Sequence, residues 1–95
     1  MKLAMFTTKE GFVKWHEREI EAIRSHGLKQ AKERYEMALR GEGKEAWLKM
    51  NNATIDSEGA DEMWARYLNY LKGEVAYLER KIRKYERAIA KCIAE

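Results

Sequence analysis

Arg80, Lys84, Arg87 and Lys91 place four cations at three- and four-residue steps, the spacing that lines one side of an α-helix. Such a row can follow a phosphodiester backbone, each fixed cation replacing a mobile counterion, or it can grip acidic side chains. It can equally be an ordinary solvated helix back, with cations well placed near a helix C-terminus. Just upstream, Arg66, Tyr70, Gly73 and Tyr77 continue the same side. Tyrosine offers a large rigid ring with a polar tip. Gly73, lying between two of them, leaves room for a backbone or a flat ring. Three uses fit this group: a crossing point with another helix, a notch for a protein partner, or a stack for a base or nucleotide whose phosphate Arg66 or Arg80 would hold.

Other chemistry finds less support. His16, Glu19 and His26 are loosely spaced on one helical stretch and make a poor metal site; a core-edge or surface role suits them better. Neither histidine follows a glutamate by three residues, as a carboxylate di-metal bundle requires. No glycine-rich phosphate loop, Cys-His dyad or serine elbow is present. Glu58-Gly59-Ala60-Asp61 with Glu17 and Glu21 resembles, in outline, the acid clusters of all-α nucleotide pyrophosphatases. The dense carboxylate pattern of those enzymes is missing from the first helix. The reading is of a non-enzyme without cofactor or metal.

Composition narrows the class. The 95 residues, 45% hydrophobic and 37% charged with no proline, suit one all-α domain of modest core. A net charge of +3 is a mild bias, so placement of charge matters more than its sum. The single cysteine, Cys92, rules out an intrachain disulfide and points to a reducing compartment. The first residues lack a secretory pattern, and no apolar run reaches the roughly 20 residues that span a bilayer. Asn52-Ala53-Thr54 matches a glycosylation sequon, idle without secretion. A cytoplasmic protein with no membrane partner is expected.

The elements that would position these groups are two long helices. Thr7-Thr8-Lys9-Glu10 reads as a capping box, with Thr7 the cap and Glu10 reaching back. Val13, Ile20, Ile23, Gly27, Ala31, Tyr35 and Ala38 then recur at helical steps, with His16 and Arg34 filling gaps, over a helix of about 8–40. The phase continues across Gly27, which favours one bent helix; a helix-turn-helix break there is the alternative. Gly41 suits a stop. Residues 44–50 form a short helix whose Trp47, Leu48 and Met50 can plug a bundle end. Residues 51–57 form a loop, with Asp56 or Ser57 capping a last helix of about 58–94. In that helix Leu68, Val75, Ile82 and Ile89 take a positions, and Trp64, Leu71, Leu78, Tyr85 and Cys92 take d positions. Glu74, Glu79, Lys81 and Glu86 flank this seam and can form ion pairs.

A hairpin of two such helices is thin. Phe12, Trp15, Met37, Leu39, Tyr67, Tyr70, Tyr77 and Ile93 fall outside the stripes, and burying each would be worth about 1.5–3 kcal/mol. Association would bury them, most simply a homodimer that closes a helical bundle or coiled coil along Trp64, Leu68, Leu71, Val75, Leu78, Ile82, Tyr85 and Ile89. The function that fits is a small helical interaction protein of accessory or inhibitor type, docking on a larger macromolecule through Arg66, Tyr70, Gly73, Tyr77 and Arg80. The alternatives are nucleic-acid binding by Arg80, Lys84, Arg87 and Lys91, and sequestration of a small cyclic or linear nucleotide at a subunit junction.

Overall fold

Thr8 starts the first helix because its extended backbone (φ −146°, ψ 159°) turns the side chain onto the open amides. Its Oγ1 accepts the Gly11 N–H at 2.9 Å. The computed structural model describes residues 8–95, so the expected Thr7 cap lies outside the described residues. Thr8 does the capping, and the residue three further on is Gly11, with no side chain to reach back. Glu10 pairs instead with Lys14 at 3.0 Å.

All the regular structure among the described residues is helical. Helix α1 is Lys9–Ala22, followed by a π-helical stretch, Ile23–Leu28, that leads into α2, Lys29–Leu39. Backbone angles stay helical at Ala22, Ile23 and Lys29 on either side of Gly27. The buried positions are Phe12, His16, Ile20, Leu28, Ala31 and Ala38. This corrects the expected stripe: Phe12 and Leu28 are inside, Val13 and Ile23 only half-buried, and Arg34 exposed. The π stretch explains the shift. Two α turns cover about 7.2 residues, and the wider i→i+5 pattern takes up the excess, so Ile20 and Leu28 both stay inward. Ser25 Oγ donates to the Glu21 carbonyl at 2.8 Å beside this widened turn, a local bond that competes with the regular helical pattern.

Helix α2 ends at Gly41, whose φ of 80° is left-handed. Gly41 N donates to the Ala38 carbonyl (2.9 Å) and Glu42 N to the Met37 carbonyl (3.1 Å), the paired bonds of a Schellman stop. Gly41→Ala is expected to cost about 1 kcal/mol or more, measurable by urea unfolding, because alanine resists this φ. Helix α3, Lys44–Met50, ends the same way at Asn52 (φ 60°), with Ala53 N donating to the Leu48 carbonyl at 2.8 Å. Leu48 is fully buried, whereas Met50 is 82% exposed. Two residues turn a helix by about 200°, so Met50 cannot share the plug with Leu48. The expected Asp56 or Ser57 cap is also corrected. Ser57 Oγ accepts the Thr54 amide at 2.9 Å, closing the loop upon itself. Gly59 (φ 80°) precedes α4, Ala60–Ala94, and its carbonyl accepts from Met63 N at 2.9 Å.

The chain folds as two compact units, residues through Lys29 with Tyr77–Glu95, and Gln30–Ala76. In the first, α1 and the end of α4 run antiparallel, since Trp15 and His16 meet Tyr85 (6.0 and 5.3 Å between rings) while Gly27 faces Leu78. His16 is buried there, its Nδ1 donating to the Phe12 carbonyl at 2.8 Å. Arg24 pairs with Glu86 at 3.0 Å. In the second, Ala38, Trp64 and Leu71 form a core on which Tyr35, Trp47, Tyr67 and Leu68 pack. Lys44 pairs with Asp61 at 2.9 Å. Of the a and d positions of α4, Trp64, Leu71, Ile82 and Cys92 are buried within the chain itself, and Leu68, Val75, Leu78, Tyr85 and Ile89 are half-buried.

Candidate interaction surface

In the second unit the aromatic residues form a run from core to surface. Buried Trp64 meets Trp47 edge-on (5.4 Å) and Tyr67 at a tilt (5.2 Å). Trp47 stacks on Tyr67 at 4.8 Å, and Tyr67 stacks on Tyr70 at 6.5 Å. Tyr70 ends the run, 61% exposed. Offset stacks of this kind hold each ring in place beyond simple burial. Beside the run, Arg34, Met37, Trp47, Trp64 and Tyr67 line an open cleft of about 190 Å³.

Glu74 fixes the outer edge. It accepts the Tyr70 hydroxyl on Oε1 at 3.0 Å and meets Arg34 Nη2 on Oε2 at 3.3 Å. The hydrogen bond to Glu74, followed by the negative charge of that carboxylate, raises the Tyr70 pKa above its ordinary value, and Arg34 partly opposes this. A tyrosine raised in the folded state adds stability below the unfolded pKa and loses it as pH climbs through the folded one. Glu74→Gln is therefore expected to move Tyr70 ionisation to lower pH, read from its ring resonances in an NMR titration between about pH 9 and 12. An unmoved midpoint would remove Glu74 as the cause.

Gly73 has open space around it: a Cβ added there meets nothing within 4 Å. Gly73→Ala is accordingly expected to stabilise the isolated chain by about 0.5–1 kcal/mol, the helix propensity difference, in thermal unfolding at low concentration. Arg66 is exposed on the same unit.

The structure divides the residues singled out in the sequence. Arg66, Tyr70 and Gly73 belong to the second unit, while Tyr77 and Arg80 belong to the first. There Tyr77, Arg80, Lys81, Lys84, Tyr85 and Arg87 line a shallow concavity of about 290 Å³. Lys91 is exposed one turn further on and does not line it. Lys81 Nζ lies 5.9 Å from the Tyr85 ring centroid, within cation–π range. His16 is buried and His26 exposed, and no cluster of three metal-ligating side chains occurs among the described residues. Glu17 and Glu21 lie with Lys14 and Arg18 in the first unit, whereas Glu58 and Asp61 lie in the second. Cys92 is a free, buried thiol. No helix among the described residues is long and apolar enough to cross a membrane.

No family model, curated protein or solved structure matches this chain.

Its own geometry therefore carries the functional reading. Two features escaped the sequence. The first is the Trp47–Tyr67 stack, which joins residues 20 apart in the chain. The second is the Arg34–Glu74–Tyr70 chain of contacts. Its one sequence signal was an acidic residue flanking the α4 seam, to be matched against a cation on an antiparallel neighbour.

Proposed function

We propose that the protein is a non-catalytic helical interaction module that forms a homodimer and docks on a larger macromolecule, as an accessory or inhibitor protein does. The observation that carries the reading is Tyr70, largely exposed at the tip of a stack rooted on buried Trp64 and held sideways by Glu74. A ring so fixed loses little freedom on binding, which is the condition for an interface anchor. Met37 is exposed beside the adjoining cleft, and the open ground at Gly73 admits a close approach. Half-buried a and d residues, Leu68, Val75, Leu78, Tyr85 and Ile89, leave apolar area that a second copy can complete into a bundle or coiled coil. Light scattering at micromolar concentration tests assembly: twice the 11.2 kDa chain mass is expected, and a monomer mass rejects the dimer.

A second reading is nucleic-acid binding by the first unit, favoured by the concavity whose lining holds four cations and no carboxylate. Retardation of an oligonucleotide that falls steeply with salt is expected. Retention of binding after neutralising Arg80, Lys84, Arg87 and Lys91 would remove this surface from consideration.

A further inference from the structure

We propose that the concavity around Tyr77 takes single-stranded nucleic acid, with an unpaired base stacked on the Tyr77 ring and phosphates held by Arg80, Lys84 and Arg87. The inference rests on the nucleic-acid reading above and narrows it to strands with open bases.

Three observations lead there. The first is segregation of charge. The nearby acids Glu79 and Glu86 line a different concavity with Arg24, Leu28 and Ile82, and Glu86 is engaged by Arg24 at 3.0 Å. Among the described residues no ion pair involves Arg80, Lys84 or Arg87. Their charge is available to a polyanion.

The second is the state of the two rings. Tyr85 is half-buried, its ring already met by Trp15, His16 and Lys81. Tyr77 is 56% exposed and lines the same concavity, so it supplies an aromatic face among cations. Inside a duplex each base is covered on both faces by its neighbours. Only an unpaired base can lie on Tyr77, and stacking on aromatic side chains beside a basic track is how single strands are held. An acidic polypeptide would satisfy the cations but bring no flat ring for the tyrosine.

The third is spacing. Arg80 to Arg87 covers roughly 10 Å of helix axis, matching about three phosphates at the 3.4 Å rise of a stacked strand. About three neutralised phosphates give a single-strand salt slope near −2 in log affinity against log salt.

The test is fluorescence anisotropy of the full chain with a labelled single-stranded oligonucleotide of about twelve nucleotides, within the usual range of site sizes, and with the duplex of the same sequence. Single-strand binding with a slope near −2 is expected, at least tenfold tighter than to the duplex. Tyr77→Ala should weaken it about tenfold or more at an unchanged slope, while Tyr77→Phe keeps the affinity. Arg80→Gln with Lys84→Gln should shallow the slope by about 1.4. All three residues are exposed, and circular dichroism confirms that each variant remains helical. Equal affinity for the duplex, or an affinity indifferent to Tyr77→Ala, overturns the single-strand inference and leaves the broader nucleic-acid reading standing. Failure to bind either form overturns both. Competition by polyglutamate as effective as by unlabelled oligonucleotide overturns both in favour of an acidic polypeptide.

Discussion

Trp64→Ala is expected to lower the free energy of unfolding by about 3–5 kcal/mol, a large part of the roughly 5–15 kcal/mol that a domain possesses. The reason is its place in the second unit. Trp64 is buried and packs with Ala38 and Leu71, and its ring is also the one on which Trp47 and Tyr67 rest. Removing it loses the buried area and leaves a void beneath two half-buried rings. Trp64→Phe retains an aromatic floor and should cost much less. Urea unfolding followed by circular dichroism gives the stability. Near-ultraviolet dichroism reports whether Trp47 and Tyr67 keep a fixed arrangement. A loss under about 1 kcal/mol would mean that the cluster closes over the gap, and that the stack carrying Tyr70 is not rooted there.

Tyr70→Ala combined with Met37→Ala is expected to weaken docking on the larger partner a hundredfold or more. Truncating an aromatic anchor commonly costs about 2 kcal/mol or more, and Met37 lines the cleft beside the same stack. Both side chains are exposed in the single chain, so the substitutions should leave its helicity intact, surface changes being small in effect. Partner capture from a nuclease-treated lysate, run beside the wild-type chain, separates the outcomes. Capture equal to that of the wild-type chain would place the docking surface elsewhere and withdraw Tyr70 as its anchor. Gly73→Leu provides an independent check, since a Cβ there meets nothing within 4 Å while a leucine would obstruct a close partner.

The helical class and the stop at Gly41 were legible because each depends on neighbouring residues. A run without proline, rich in Ala, Leu, Glu and Lys, has few alternatives to helix, and a glycine after Arg40 provides the left-handed angle that ends one. The inward face of the first helix was legible only in part. Spacing puts Ile20, Ala31 and Ala38 on the buried side but misses Phe12 and Leu28, because a uniform α turn does not allow for the π stretch at Ile23–Leu28. Caps went astray for a similar reason. Ser57 has the chemistry of a helix cap, yet its hydroxyl closes the turn to Thr54, and two local bonds open to the same group cannot be ranked from the sequence.

The candidate surfaces divide along the same line. The basic row could be read from residue type and helical step, and so could the outward position of Tyr70 and Tyr77. The same spacing groups Tyr67 with them, yet it lies half-buried and stacked on Trp47. Spacing puts Arg34 in the inward stripe, but its long side chain reaches across to Glu74, as a charged head seeks water and a partner.

From the sequence alone came what neighbouring residues set between themselves: the helical class, the glycine stop after Arg40 and the helical step of the cationic row. Tertiary packing alone decided that Phe12 and Tyr67 are covered and that the acids Glu74 and Glu86 are taken by Arg34 and Arg24. Exposure and pairing are properties of what lies opposite a residue, and the residue opposite is many positions away in the chain.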